Sequence, residues 1–201
     1  MVKGYERAYE IAVEKLDGFD LVGEAQRLKL QVTPQSNARV NFLGNRYEIG
    51  SNGVVCLTDA SPNFVERALL IHFITSGGKA RPTGEFWLPG QFVSESEKTV
   101  AATNISWQNR SLEEKFSEDA QAVYRALSIL SAVEIPQNEE GRRIWQMELL
   151  PNIVCQVICY EADDEFPLTT HIRFDKSAKD YFEFESIAFL HSAVVHALVN
   201  L

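Results

Sequence analysis

Tyr5, Ala8, Tyr9, Ala12, Val13 and Leu16 recur with the i, i+3, i+4 rhythm that lays one apolar stripe along a helix. Gly18 ends this element, and Asp20 is placed to cap a shorter helix through Leu28. The period then falls to two. Val40 and Phe42, then Tyr47 and Ile49, alternate with polar neighbours around a tight turn at Gly44-Asn45, and Val54-Val55-Cys56-Leu57 adds a third strand. Ser61-Pro62 predicts the next helix start, with the hydroxyl capping and proline at the first helical position. Phe64, Val65, Ala68, Leu69, Ile71 and His72 form its apolar stripe until Ser76-Gly77-Gly78 stops it. From Lys79 to Val100, Pro82, Gly84, Pro89 and Gly90 break any long element.

Ser111-x-x-Glu114 matches a capping box, which predicts the start of one broken helix or two consecutive ones carrying Phe116, Val123, Tyr124, Leu127 and Leu130 inward. Trp145, Met147 and Leu149 alternate, the run from Ile153 to Tyr160 is apolar on both faces, and Thr170, Ile172 and Phe174 alternate again. That is a central strand between two half-covered ones. Ile187, Phe189, Leu190, Val194, Ala197 and Leu198 close the chain as an apolar helix. Few βαβ crossovers fit this order, so the pattern predicts an α+β fold. Its antiparallel sheet, made of an N-terminal hairpin region and a C-terminal meander, packs against helices in one domain over residues 1–201.

Composition narrows the function classes. A chain of 201 residues with 45% hydrophobic content is long enough to bury a core as one domain. A net charge of -9 argues against nucleic-acid backbone binding, which needs a basic stripe. No apolar run approaches the ~20 residues of a membrane span. Met1-Val2-Lys3-Gly4-Tyr5-Glu6-Arg7 leads straight into a charged helix, so no signal peptide is expected. Three cysteines without metal-type spacing predict free thiols in a reducing cytoplasm.

Two segments carry candidate chemistry. Glu161, Asp163, Asp164 and Glu165 crowd four carboxylates into five positions, closed by Phe166-Pro167, where proline restricts its neighbour to extended backbone. Asp163, Asp164 and Glu165, with Asp175 across the expected hairpin, offer hard oxygen ligands for Mg²⁺ or Ca²⁺. A glutamate of this loop held between low-dielectric walls is alternatively an acid–base group of raised pKa. The plain alternative is a solvated turn whose charges keep a sheet edge from pairing. The second segment, Thr83 to Phe92, sets Phe86, Trp87 and Phe92 among glycines and prolines, as in a loop lining a ligand pocket, with Gln91 to orient a polar group. Its plain alternative is a cover over the end of the core.

Other candidates are weaker. Cys155 and Cys159 share a strand face but stand about 13 Å apart by strand rise, and His191 and His196, five apart, fall on different helix faces. His72, inside an apolar stripe, reads as a core histidine. The Ser/Thr-rich neighbourhoods Ser94 to Thr99, Thr103 to Ser106 and Thr169-Thr170 read as ordinary loops or strand ends.

Leu69-Leu70-Ile71-His72-Phe73, Pro82-Thr83-Gly84-Glu85 with a nearby Trp, Leu150-Pro151, Asp164-Glu165-Phe166-Pro167 and Phe174-Asp175 occur in that order. In this the chain resembles the domain of unknown function 3786 family over nearly its whole length. The resemblance implies a place in the cofactor-rich metabolism of anaerobic bacteria and archaea. It brings no agreed activity, cofactor or catalytic residue, and the iron–sulfur ligands of some relatives are missing here. Phe86 intervenes between Glu85 and Trp87, a departure that bears on any ligand this loop reads.

Together these features predict a cytoplasmic accessory domain that binds a small ligand or cofactor through Gly84, Trp87, Gln91 and Phe92, with Glu165 and Asp175 at the rim. A divalent-metal enzyme using the 161–165 carboxylates, and a module docking a partner protein through its aromatic loop, are the alternatives.

Overall fold

The computed structural model describes residues 2–58, 63–93 and 98–201. Helix α1 (Val2–Glu14) is followed by α2 (Leu21–Arg27). Between them Gly18 takes a φ of +66°, and the Asp20 side chain accepts the N–H of Gly23 as the α2 cap. Strands β1 (Gln31–Val32), β2 (Ala38–Phe42), β3 (Asn45–Gly50) and β4 (Gly53–Cys56) form an antiparallel sheet in chain order. The β2–β3 turn falls one residue earlier than expected. Leu43 and Gly44 are its two central residues, with φ of +49° and +80°, and Phe42 pairs with Asn45. Two consecutive positive φ values match the right-handed twist of a hairpin, and the buried Leu43 side chain holds a conformation that its own sterics disfavour.

Helix α3 (Phe64–Thr75) is capped by Asn63, whose side chain accepts the N–H groups of Val65 and Glu66. The expected start at Ser61-Pro62 lies outside the described residues. Glu66 is buried on α3 and accepts the hydroxyl of buried Tyr47 on β3. Burial, and then this carboxylate, push the Tyr47 phenol upward. Phe86 and Trp87, expected in an irregular loop, form strand β5, and a 3-10 turn follows over Pro89–Gln91.

Helix α4 (Lys98–Ile129) corrects two expectations. Its backbone runs helically through 103–106 and through Ser111, so Ser111-x-x-Glu114 caps nothing, and Glu114 instead pairs with Arg110 one turn back. The break is at Asp119, whose φ and ψ of -150° and 75° leave the helix and whose carboxylate accepts the N–H of Ala122. Asp119 therefore caps the second half. Leu112, Phe116, Val123, Ala126 and Leu127 face the core.

Strands β6 (Val133–Ile135), β7 (Arg142–Leu150), β8 (Ile153–Tyr160) and β9 (Thr169–Asp175) complete a second antiparallel sheet, ordered β5-β9-β8-β7-β6. As its two-faced apolar run predicts, β8 is central, paired Cys155 to Met147 on one side and Cys155 to Phe174 on the other. A 3-10 helix (Lys176–Asp180) leads into α5 (Phe184–Asn200), which packs on α3 and α4. Ile187, Leu190, Val194 and Leu198 are fully or almost fully buried there. The fold is thus α+β, with two antiparallel sheets, and no described helix is long and apolar enough to cross a membrane.

Candidate functional site

Asp175 ends β9, and Glu165 lies in the loop before β9, so the strand holds them apart instead of joining them. Asp175 is fully buried. Its Oδ1 accepts Thr83 N–H, Thr83 Oγ1 and Ser177 N–H at 3.0, 3.1 and 2.9 Å, while Oδ2 accepts Thr83 and Gly84 N–H at 2.9 and 2.7 Å. Burial pushes this carboxyl up, but the donors of Thr83, Ser177 and Gly84 outweigh it and hold the group below the usual carboxylate range. Gly84, at φ +79°, presents its N–H in a conformation glycine adopts without strain. Asp175 is therefore the anchor that seats the 83–92 loop on the sheet edge.

Beyond the anchor, the loop satisfies itself. Trp87 Nε1 donates to Glu85 Oε1 at 2.8 Å, and Lys176 Nζ bridges to Glu85 Oε2 at 3.1 Å. The indole hydrogen bond first, then Lys176, hold the Glu85 carboxyl low. Gln91, expected to orient a ligand, gives its Oε1 to the N–H of Leu88 at 2.7 Å and closes the 3-10 turn. Trp87 packs edge-on to Phe92 at 5.3 Å between ring centres. Lys176 and Lys179, three apart on a 3-10 helix, stack on one side of it, and both ammonium groups lie over the Trp87 ring at 4.9 and 5.6 Å.

The acidic loop is exposed from Glu161 to Pro167. Asp163 accepts the N–H groups of Glu165 and Phe166 at 2.8 and 2.7 Å, which makes the turn and lowers its own pKa. Glu165 is not aimed inward, and Phe166 is 65% exposed. Among the described residues no cluster of three or more His, Cys, Asp or Glu side chains is arranged to hold a metal. Cys155 and Cys159 are buried free thiols, with Cys56 half-buried. Burial pushes Cys159 up to about 11. His191 is buried and its pKa falls to about 4 for the same reason, while His196 is exposed, as their spacing predicts.

The structure instead brings together residues that the sequence leaves scattered. A cleft of ≈510 Å³ opens where the end of α1, the C-terminal turn of α3 and the start of α5 meet. Its polar lining includes His72 and Ser186 and two charges of each sign, Lys15 and Lys179 with Asp180 and Glu183, and Phe19 and Phe182 are apolar walls. His72 Nδ1 and Ser186 Oγ are 2.9 Å apart across 114 residues of chain. Burial first, and then the Lys15 ammonium, lower the His72 pKa against the opposing pull of Glu183, so the ring is neutral near pH 7. Its Nε2 makes no hydrogen bond to a described residue. Lys179 belongs to both places, lining this cleft and lying over Trp87, so the aromatic loop flanks the cleft without lining it. His72, read from its stripe as a core residue, sits half-exposed in this cleft, and nothing in the local pattern marks Ser186 as its partner.

Comparison with known proteins bears on the family alone. The family model described as "Domain of unknown function (DUF3786)" matches residues 20–197, and the chain belongs to that family. No curated protein and no solved structure matches it.

Proposed function

We propose that this member of the DUF3786 family is a small-ligand-binding accessory domain of the cytoplasm, and that its ligand sits in the His72 cleft. The observation that carries this reading is the His72–Ser186 pair within a cleft of ≈510 Å³. That volume falls in the range of small-molecule sites, which combine apolar walls with a few convergent polar groups. A neutral imidazole with one nitrogen held by a hydroxyl leaves the other to donate to or accept from a ligand, according to tautomer. Lys15 and Lys179 beside Asp180 and Glu183 give the cleft both signs of charge and favour a ligand that carries both donor and acceptor groups. The Trp87–Phe92 pair, anchored by Asp175, buttresses Lys179 from outside.

A thermal-shift screen of small polar metabolites tests this, run on the parent chain and on Lys15→Ala/Lys179→Ala. Both lysines are exposed, so the variant should melt as the parent does without ligand. Ligands that raise the parent's Tm should lose most of that gain in the variant. Hits that stabilise both proteins equally would move the site elsewhere.

A second reading, a protein-docking module, is favoured by the exposed Phe166 beside a cleft of ≈590 Å³ lined by Tyr160, Ala162 and Pro167. A binding partner whose affinity falls in Phe166→Ser would support it.

A further inference from the structure

Tyr181 lines a second cleft besides the His72 cleft, of ≈690 Å³, where four cations converge: Arg27, Lys29, Lys79 and Arg81. They come from two separate segments, the end of α2 and the stretch after α3, so the fold and not a run of basic sequence assembles them. The chain has 28 acidic residues to 19 Lys and Arg, so most cations have an acidic neighbour to choose. Yet Lys29, Lys79 and Arg81 form no ion pair with any described residue.

Their backbones are nonetheless fixed. Lys29 follows α2 at a φ of +59°, its N–H bonded to the carbonyl of Gln26 at 3.0 Å. Lys79 N–H is held by Asp180 Oδ2 at 2.5 Å. Arg27 is the one of the four in a direct ion pair, bridged to Glu24 at 2.6 Å and donating to the carbonyl of Gly78, and the nearby Asp180 carboxylate feels the charges of both Arg27 and Lys79. Glu148 is the one carboxylate in the lining, and it accepts the N–H of Asn152 at 2.8 Å. Glu24, Glu148 and Asp180 offset part of this charge, but the four cations outnumber them, and an excess of like charge on anchored backbone raises the local concentration of anions.

We propose that this cleft is a second binding site, for a small molecule bearing two or more phosphoryl or carboxylate groups. The free Arg81 fork suits the paired oxygens of either group, and Lys29 and Lys79 add point charges around it. The acidic remainder of the surface disfavours a long polyanion, which would have to run past it.

Calorimetric titration with tripolyphosphate and with citrate, at low salt, is the test. Saturable one-to-one binding of at least one anion is expected, weakening as salt is added. Lys29→Ala/Arg81→Ala should weaken it by about tenfold or more, since two contacts to charged groups are lost. Arg110→Ala/Arg125→Ala removes the same net charge from exposed positions on α4 and should leave affinity within about twofold of the parent, as screening dictates for distant surface charges. Lys15→Ala/Lys179→Ala should bind like the parent too, which separates this site from the His72 cleft. Tighter tripolyphosphate identifies a phosphoryl ligand, tighter citrate a polycarboxylate. If the Lys29/Arg81 variant has a lowered Tm, Arg81→Lys, which keeps the charge but loses the fork, should still bind more weakly than the parent. No saturable binding of either anion, or equal weakening in the Lys29/Arg81 and Arg110/Arg125 variants, would overturn the proposal.

Discussion

Tyr181 donates its hydroxyl to the carbonyl of Ala80 at 2.8 Å, across 101 residues of chain. The same hydroxyl accepts Asn152 Nδ2 at 3.2 Å, and the neighbouring Asp180 carboxylate takes the N–H groups of Lys79 and Ala80. This junction forms the shared wall of the two clefts, so their geometry depends on it.

The junction should be sensitive to small changes. A methyl group added at Gly78 would stand 2.6 Å from Tyr181 Cδ1 and 2.7 Å from the Asp180 carbonyl oxygen. Gly78→Ala is therefore expected to destabilise by about 1–3 kcal/mol through overpacking. Tyr181→Phe, which keeps the ring and removes the hydroxyl, should cost about 1 kcal/mol. Urea denaturation measures both, and a Gly78→Ala protein as stable as the parent would contradict the close approach.

How far the sequence reaches is visible in particular residues. β8 was legible because a run apolar on both faces admits few placements, and Asp20 because a cap acts on its own helix. The Ser111 box misled because two local side chains match its spacing inside a continuous helix, whereas the true break at Asp119 has no such signature. At the sites the limit is tertiary. Thr83-Gly84 and Asp175 each stood out, but only the strand register of β5 and β9 shows that they serve each other. The His72–Ser186 pair joins two helices whose mutual packing no local pattern encodes.

Asp175 makes stability depend on acid. Its folded pKa lies below its unfolded value of about 3.9, so its contribution is complete above that value and is lost as pH falls through the folded pKa. Asp175→Asn should lower stability at neutral pH by about 2–3 kcal/mol, the cost of weakening a buried, charge-assisted network. The variant should also show a shallower loss of stability below pH ~4. Parallel pH–denaturation curves for parent and variant would contradict the anchor role.

The thiols should separate by reactivity. Cys155 and Cys159 are buried and held protonated by burial, whereas Cys56 is half-buried. In the native protein a thiol reagent near pH 8 should modify Cys56 first, and in denaturant without reductant it should count three thiols. Rapid modification of all three in the native state would contradict the packing of β8.

In the acidic loop, Asp163 should be structural and its neighbours not. Asp163→Ala frees the N–H groups of Glu165 and Phe166, so hydrogen exchange at those two amides should accelerate. Asp164→Asn and Glu165→Gln should leave it unchanged. Slowed exchange on adding Mg²⁺ or Ca²⁺ would instead favour a cation site.

The binding claim is tested most directly by amide chemical-shift mapping of a ligand found in the thermal-shift screen. The account predicts that shifts cluster at Thr75, Ser76 and residues 179–186, and that the His72 ring resonances move with the same affinity. Shifts confined to residues 161–169, or His72 resonances unmoved at saturation, would contradict it.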